Sequence, residues 1–421
     1  LHRTRDFMNW NYGSRNANFE ADRVDVVGTV GLVFPGNPDA KGFIQHALEM
    51  TEQGMKAYCT PASGRWYENP ACYYLHAMKC RLHLLIRLAQ VGLLDPAQVE
   101  LLKELLGWGI FLLTPGIPTT IPQMALPCDD ATYHELDKIR RVAPIGDHAS
   151  LGSEIPEHWA ILADYFDKSD SDFSNLLRWA FVSCNVSGGH FGDIPLYLSN
   201  PHVADTAINK QPVLTSRRLE GFGSIFRDHF NETDEFYLLF KLGPGGYRYH
   251  RTEGSIILFV DGKPLIYDGG EDGETWRHST LSFYDTHMPL APGHLQRFAA
   301  LPNLQFSQGV NPKAIAPGEP DFLNDDCRHE LVQVAFDRFN EKNPANARSV
   351  WWIKDEYALL HDDLHLDSSI PSHWHLQVVG QSETRVADGD YRFVGRFGTD
   401  LQVLLPDQAF VDEQVRDNTL N

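Results

Sequence analysis

Apolar residues recur at helical spacing through the first half of the chain and at strand spacing through the second. Phe43, Ile44, Ala47, Leu48, Met55 and Tyr58 fall on one face after the turn-rich segment Pro35–Asp39, which predicts an amphipathic helix. A second stripe, Tyr74, Leu75, Met78, Leu82, Leu85, Ile86 and Ala89, ends at Gly92, the residue type that most readily closes a helix. Asp95-Pro96 is an N-cap followed by proline at the first helical position, and it announces a helix carrying Val99, Leu102, Leu105 and Leu106. Two more are predicted around Glu157–Phe166 and Asp172–Cys184, with long Pro-, Gly-, Asp- and His-rich loops at Thr114–Pro127 and Pro144–Gly152. Helical hairpins with long loops describe an α/α barrel or a bundle, and periodicity does not choose between them.

From about Val213 the period changes to two. Phe236–Lys241, Ser255–Val260, Pro264–Tyr267, Glu330–Phe336, Ser349–Ile353, Tyr357–His361, His373–Val379 and Leu401–Leu405 are short, β-branched or aromatic, and bounded by Gly, Asp or Pro. Asp261-Gly262 between two apolar runs is a strong hairpin signal, and a regular hairpin there pairs Ser255 with Asp268. The expected architecture is therefore α+β and multidomain: a helical domain over residues 1–212, then an antiparallel β-sandwich over 213–421, joined near Asn209–Ser216.

Composition narrows the function classes. A chain of 421 residues, 43% hydrophobic, is long enough for two or three cores. A net charge of −20 excludes nucleic acid as a natural partner, because polyphosphate binding needs a clustered positive surface. Any polyanionic substrate would need Arg and Lys local to a cleft. The 11% aromatic content suits stacking on sugar faces, although most such rings fill cores. The six cysteines form no CxxC pair, so neither a zinc ribbon nor a thioredoxin-type site is indicated, and a chain of this size needs no disulfide framework. No run of 18 apolar residues predicts a membrane span. Leu1 is not an initiator Met, so the lack of a visible signal peptide says little about compartment. Oligomeric state is not readable.

Three residue clusters can carry chemistry. Asn16-Ala17-Asn18-Phe19-Glu20 opens a segment running into Gly28–Pro35 and also suits a polar helix start. Gly64-Arg65-Trp66-Tyr67-Glu68-Asn69-Pro70-Ala71-Cys72-Tyr73-Tyr74 leads into the second apolar stripe. In the β half, Arg248-Tyr249-His250-Arg251-Thr252-Glu253-Gly254-Ser255 precedes Gly262–Gly270, Arg277-His278-Ser279-Thr280 and Thr286-His287. In this order the clusters resemble the Asn-His-x-x-Glu, Gly-x-x-x-Glu-x-x-x-x-Tyr and His-x-His-x-Asp-x-Gly-Ser elements of polysaccharide lyases of the heparinase II/III type. The resemblance spans about Asn9–Gly92 and Leu219–Leu405.

That resemblance implies an N-terminal α/α toroid, incomplete at its start, followed by an antiparallel β-sandwich. It implies β-elimination on a uronic-acid polymer, in a periplasmic or secreted enzyme whose partner is an anionic polysaccharide. Such chemistry needs a group to neutralise the uronate carboxylate, a base for the adjacent C–H and an acid for the departing oxygen. Carried over, Tyr73 is the acid and perhaps the base, Asn16 and Glu20 face the uronate, and Arg248 stands where the family has a catalytic His. A tyrosine of ordinary pKa, about 10, needs nearby positive charge to act as base, and Arg248 could supply it but not be a base itself. Ala17 stands where the family has its other His. Arg65, Trp66, Glu68, Tyr74 and Arg227 are the expected substrate contacts, with Tyr74 also in phase with the core residues Met78 and Leu82. His148 and His190 are further candidates for substrate contact or base, as is His278 for base. In zinc-containing relatives a His, an Asp and a later His hold a structural metal; here these are His250, Asp268 and His287, or else a hydrogen-bonded set without metal.

Two other classes stay open. An α/α-barrel glycoside hydrolase would need a carboxylate pair, for which Asp129, Asp130, Asp147 and Glu154 are candidates. A non-catalytic sugar-binding homologue would explain Ala17 and Arg248 as lost catalysis.

Overall fold

The computed structural model describes residues 17–59, 65–94, 96–118, 127–146, 156–184, 210–243, 251–268, 275–283, 293–311, 346–364 and 371–405. Among these, helices α1 (Ala17–Val33), α2 (Ala40–Tyr58), α3 (Leu75–Gln90), α4 (Pro96–Phe111), α5 (Asp130–Glu135), α6 (Pro156–Phe166) and α7 (Ser171–Cys184) precede the main sheets. Helices α2, α3, α4, α6 and α7 form where the apolar spacing predicts them. Helix α1 is longer than its sequence signal: beyond the polar start at Ala17–Glu20 it runs to Val33 and packs on both α2 and α3. No helix among the described residues is long and apolar enough to cross a membrane.

The first half is not wholly helical. Two-residue strands β1 (Ile117–Pro118) and β2 (Lys138–Ile139) pair antiparallel, extended by Thr114 N–H to Arg141 O at 2.8 Å and Ala143 N–H to Leu112 O at 3.0 Å. Leu112, Leu113, Ile117, Ile139 and Val142 are buried here, so this loop backbone lies inside the protein and must find internal hydrogen-bond partners.

The second half is antiparallel throughout. One sheet has strand order β3-β4-β5-β6-β7 (Arg217–Leu219, Gly223–Asp228, Phe236–Lys241, Ile256–Val260, Lys263–Ile266). Another has order β12-β11-β10-β9 (Tyr357–Leu364, Asn346–Ile353, Leu304–Asn311, His294–Ala300). A smaller meander, β14-β15-β16 (Gly380–Ala387, Asp390–Gly395, Leu401–Leu404), and the pair β8 (Leu281–Phe283) with β13 (Ser372–Trp374) complete the described strands. The run Glu330–Phe336, expected as a strand, lies outside the described residues.

Strand β5 explains the layering. Its residues alternate sides, yet every one is buried. Tyr237 and Leu239 join Ile225, Ile257 and Phe259 in the core shared with the helices. Phe236, Leu238 and Phe240 join Phe226, Ile256, Leu258, Val350 and Trp352 in a second core against the four-stranded sheet. Phe236 stacks on Trp352 with ring centroids 3.5 Å apart. The five-stranded sheet is thus the middle layer, which is why its strands read as unbroken apolar runs instead of alternating ones. The β6–β7 turn is the expected hairpin, with Asp261 and Gly262 both at positive φ (52° and 67°). A bulge after Phe259↔Pro264 shifts the ladder, so Leu258 faces Ile266 and the regular pairing of Ser255 with Asp268 does not form.

Helices and middle sheet are fastened by one buried carboxylate. Glu235 Oε1 accepts from Arg227 Nη1 on β4 and from Arg140 Nη1 on the loop after β2, both at 3.1 Å, and its Oε2 accepts from Arg140 Nη2. The guanidinium groups go on to donate to loop carbonyls: Arg140 to Thr114 O at 2.9 Å, and Arg227 to Phe111 O at 3.2 Å and to Leu113 O. Burial pushes the Arg227 pKa down to about 10, which still leaves it charged at neutral pH. Glu235→Gln leaves two buried guanidinium groups without a counter-ion and is expected to cost about 3–5 kcal/mol. Urea unfolding of the variant tests this; wild-type stability would show that the fastening lies elsewhere.

A pH term is built into the small β8–β13 region. His375 donates its backbone N–H to Thr280 O, and its ring pairs with Ser282 Oγ at 2.8 Å. Burial first, and the neighbouring His373 second, lower its pKa from 6.5 to about 4. The unfolded chain therefore binds this proton more readily, so stability is present above pH 6.5 and declines as pH falls toward 4. Over that interval the urea midpoint of His375→Gln is expected to fall less steeply than that of the wild type; an unchanged slope would contradict the assignment.

Candidate active site

On the helical side, the segment Arg65–Asn69 enters a single π-turn, Pro70–Tyr74, closed by Tyr74 N–H to Asn69 O at 2.9 Å, before α3 begins. Such turns widen a helix by one residue and are frequent at functional sites. The last two residues of this one are tyrosines, which fall on different faces as helix neighbours do. Tyr74 points into the core: its hydroxyl donates to Leu105 O at 2.6 Å, its ring meets Trp108 edge-on at 4.8 Å, and burial raises its pKa far above the ordinary range. Tyr73 is half-buried.

Below the turn lies a band of buried charge. Trp66 Nε1 donates to Glu68 Oε2 at 2.7 Å, and the Arg81 guanidinium sits 5.4 Å from the Trp66 ring. Arg81 also reaches Glu20 Oε1 at 3.5 Å, which joins α3 to α1. Gly54 of α2 lies directly over this pair: a Cβ there would come within 2.6 Å of Glu20 Oε1 and 2.5 Å of Arg81 Nη2. Burial raises the Glu20 pKa, while Arg81 and Arg23 pull it back. The Arg65 guanidinium stands 4.3 Å from the Tyr67 ring and 5.8 Å from Phe222, so it crosses from the helices to the sheet.

The band continues in the β layer. Lys241, the last residue of β5, is ion-paired with Glu253, which also accepts from Gly243 N–H at 2.9 Å and Gly293 N–H at 3.1 Å. Burial lowers the Lys241 pKa, Glu253 raises it, and the charge of Arg65 pushes it down further. Asp268 Oδ2 lies 2.8 Å from His278 Nδ1, both buried. Glu20, Arg81, Arg65, Lys241, Glu253, Asp268 and His278 thus line one polar interior between helices and sheet, in a protein that is strongly acidic as a whole.

Several expected substrate contacts must be corrected. Trp66 is fully buried and its indole is spoken for by Glu68, so it offers no face to a sugar. Tyr74 is a core residue. Arg227 belongs to the Glu235 fastening. Arg65 and Glu68 are also enclosed. Asn16, His148, His190, Arg248, His250 and His287 lie outside the described residues, as do Asp147 and Glu154. Of the three expected metal ligands only Asp268 is therefore described, and its described partner is His278. The carboxylate pair Asp129/Asp130 is occupied otherwise. Asp129 caps α5 through Thr132 N–H at 2.8 Å, and Asp130 pairs with Lys263. These contacts lower both pKa values, the reverse of what a general acid needs.

Arg81, Lys241 and Glu253 were not singled out from the sequence. The signal existed for two of them: Arg81 sits in the apolar stripe of α3 beside Leu82, and Lys241 ends an otherwise apolar buried strand. Long side chains in such positions are either buried with a partner or absent.

No family model matches the chain, and no curated protein matches it. Solved structures do. The chain is similar to heparan sulfate lyase HepC from Pedobacter heparinus, with 15% identity and a TM-score of 0.52 over 91% of this chain and 55% of that one. It is similar to a heparinase III gene product as well, with 13% identity and a TM-score of 0.57 over 92% of this chain and 56% of that one. The chain therefore spans just over half the length of these structures. What the likeness establishes is architecture: the chain has the heparinase-like polysaccharide lyase fold, a helical layer on an antiparallel β-sandwich.

Proposed function

We propose that the protein is a polysaccharide lyase that cleaves an anionic, uronic-acid polymer by β-elimination, with Tyr73 as the proton donor. The observation that carries the reading is the contrast between the two tyrosines that close the π-turn. Tyr74 is buried and locked to Leu105 O, whereas Tyr73 stays half-exposed. In the reaction a base removes the proton next to the uronate carboxylate, a carbon–carbon double bond forms, and the glycosidic C–O bond breaks. Tyr73 protonates the departing oxygen. Burial biases Glu20 toward its neutral form, the form that can donate to a uronate carboxylate, and Asn16 shares that task. Arg248 supplies positive charge that favours the Tyr73 phenolate, should Tyr73 serve as base too.

Heparan sulfate heads the substrates to test, because the solved structures of this fold carry that name; alginate, glucuronan and ulvan present the same carboxylate. A polymer substrate puts the enzyme in the periplasm or outside the cell. The proposal keeps a structural zinc at His250, Asp268 and His287, where the ion would tie strands together and take no part in proton transfer.

Incubation with a panel of uronate polymers is expected to release products with the ultraviolet band of an unsaturated uronate. New reducing ends without that band would mean hydrolysis, and binding without either product would mean a sugar-binding homologue. Tyr73→Phe is expected to lower kcat by about 10²-fold or more while KM changes little. Tyr74→Phe is expected to keep activity and lose about 1 kcal/mol of stability, since only the hydrogen bond to Leu105 O is removed. Full activity in Tyr73→Phe would eliminate Tyr73 as the acid.

A further inference from the structure

Helices α1 and α3 are joined a second time, on the face turned away from Glu20 and Arg81. His76 and Cys80 lie four residues apart on α3, so their side chains share one face of the helix. Asp22 of α1 stands opposite both: its Oδ1 lies 3.0 Å from His76 Nε2 and 2.9 Å from Cys80 Sγ. The three donor atoms all fall within 4.8 Å of one another. Cys80 is buried, whereas the His76 and Asp22 side chains are 41% and 46% exposed, so the cluster is walled on the thiol side and open to water on the other.

We propose that Asp22, His76 and Cys80 form a binding site for a zinc-type divalent cation, with water in the fourth position. Thiolate, imidazole and carboxylate together are a donor set typical of zinc, and the thiolate disfavours the hard cations calcium and magnesium. Around a tetrahedral zinc with donors at about 2.0–2.3 Å, neighbouring donors stand about 3.3–3.8 Å apart. The present contacts are a few tenths of an ångström shorter, as expected where hydrogen bonds hold the place of the ion. Binding displaces the Cys80 thiol proton to solvent; the thiolate and the Asp22 carboxylate then offset the charge of the ion, and the imidazole nitrogen is a neutral donor. The next turn of the same seam is already polar: Asp25 of α1 lies 3.5 Å from His83 and 3.6 Å from Arg87 of α3.

The site has a structural consequence. Asp22 is two residues from Glu20, Cys80 adjoins Arg81, and His76 is three residues from Tyr73. An ion here fixes the register of α1 against α3, and that register sets the Glu20–Arg81 contact beneath the π-turn.

The test uses the full chain, reduced and stripped with a chelator, then titrated with Co²⁺ followed by Zn²⁺. The wild type is expected to develop a saturable thiolate-to-cobalt charge-transfer band that Zn²⁺ abolishes. Cys80→Ser is expected to lack the band, and Asp22→Asn to weaken apparent binding by about 10-fold or more. The separate His250, Asp268 and His287 set holds no thiol, so it contributes nothing to this band. Should Cys80→Ser fail to fold, alkylation of wild-type Cys80, mapped by peptide mass, gives the answer: Zn²⁺ is expected to slow it. No band in the wild type, an unchanged band in Cys80→Ser, or an unchanged alkylation rate would each overturn the proposal.

Discussion

Glu235 carries one negative charge between two buried guanidinium groups, and most of the architecture follows from keeping that arrangement satisfied. A lone buried carboxylate is costly; with Arg140 on one side and Arg227 on the other it is paired twice and holds both. The spare N–H groups of the two arginines then need acceptors, and they find them in the carbonyls of Phe111, Leu113 and Thr114. Those carbonyls belong to the chain leaving α4. The end of a helix, a buried loop and two sheet strands are thereby set in one geometry. The aromatic faces of Trp179, Phe230 and Tyr237 close around the guanidinium planes and exclude water from the assembly.

With that joint fixed, the interior between helices and sheet holds further buried polar groups. They come in pairs: Glu20 with Arg81, Lys241 with Glu253, Asp268 with His278. Pairing is what makes their burial tolerable.

The two tyrosines show how position around one helix axis assigns roles. Each residue advances about 100° around the axis. Tyr74, in phase with α3, fills the slot beside Trp108, while Tyr73 falls outside it and stays half-exposed. The sequence signal for that slot was present, because Tyr74 keeps phase with Met78 and Leu82. The turn itself had no sequence signature beyond Pro70.

What the sequence determined by itself was periodicity, and through it the fold. The apolar stripes of α2, α3, α4, α6 and α7, the buried strand β5 and the Asp261-Gly262 turn are local in origin, since each depends on residues a few positions apart. Strands β4 and β10 escaped the period-two reading because polar members of each, Ser224 and Ser307, meet across the sheets at 2.6 Å instead of facing solvent. The bulge after Phe259 was equally invisible, and it shifts the ladder so that Ser255 and Asp268 do not pair. Tertiary structure alone decided the fates of the long polar side chains. Arg227 and Arg65 look the same in sequence as a substrate-binding arginine. Only the fold reveals that one neutralises Glu235 and the other lies between Tyr67 and Phe222. The reason is physical: a charged group is defined by its partners, and those partners lie at sequence distances that no local pattern encodes.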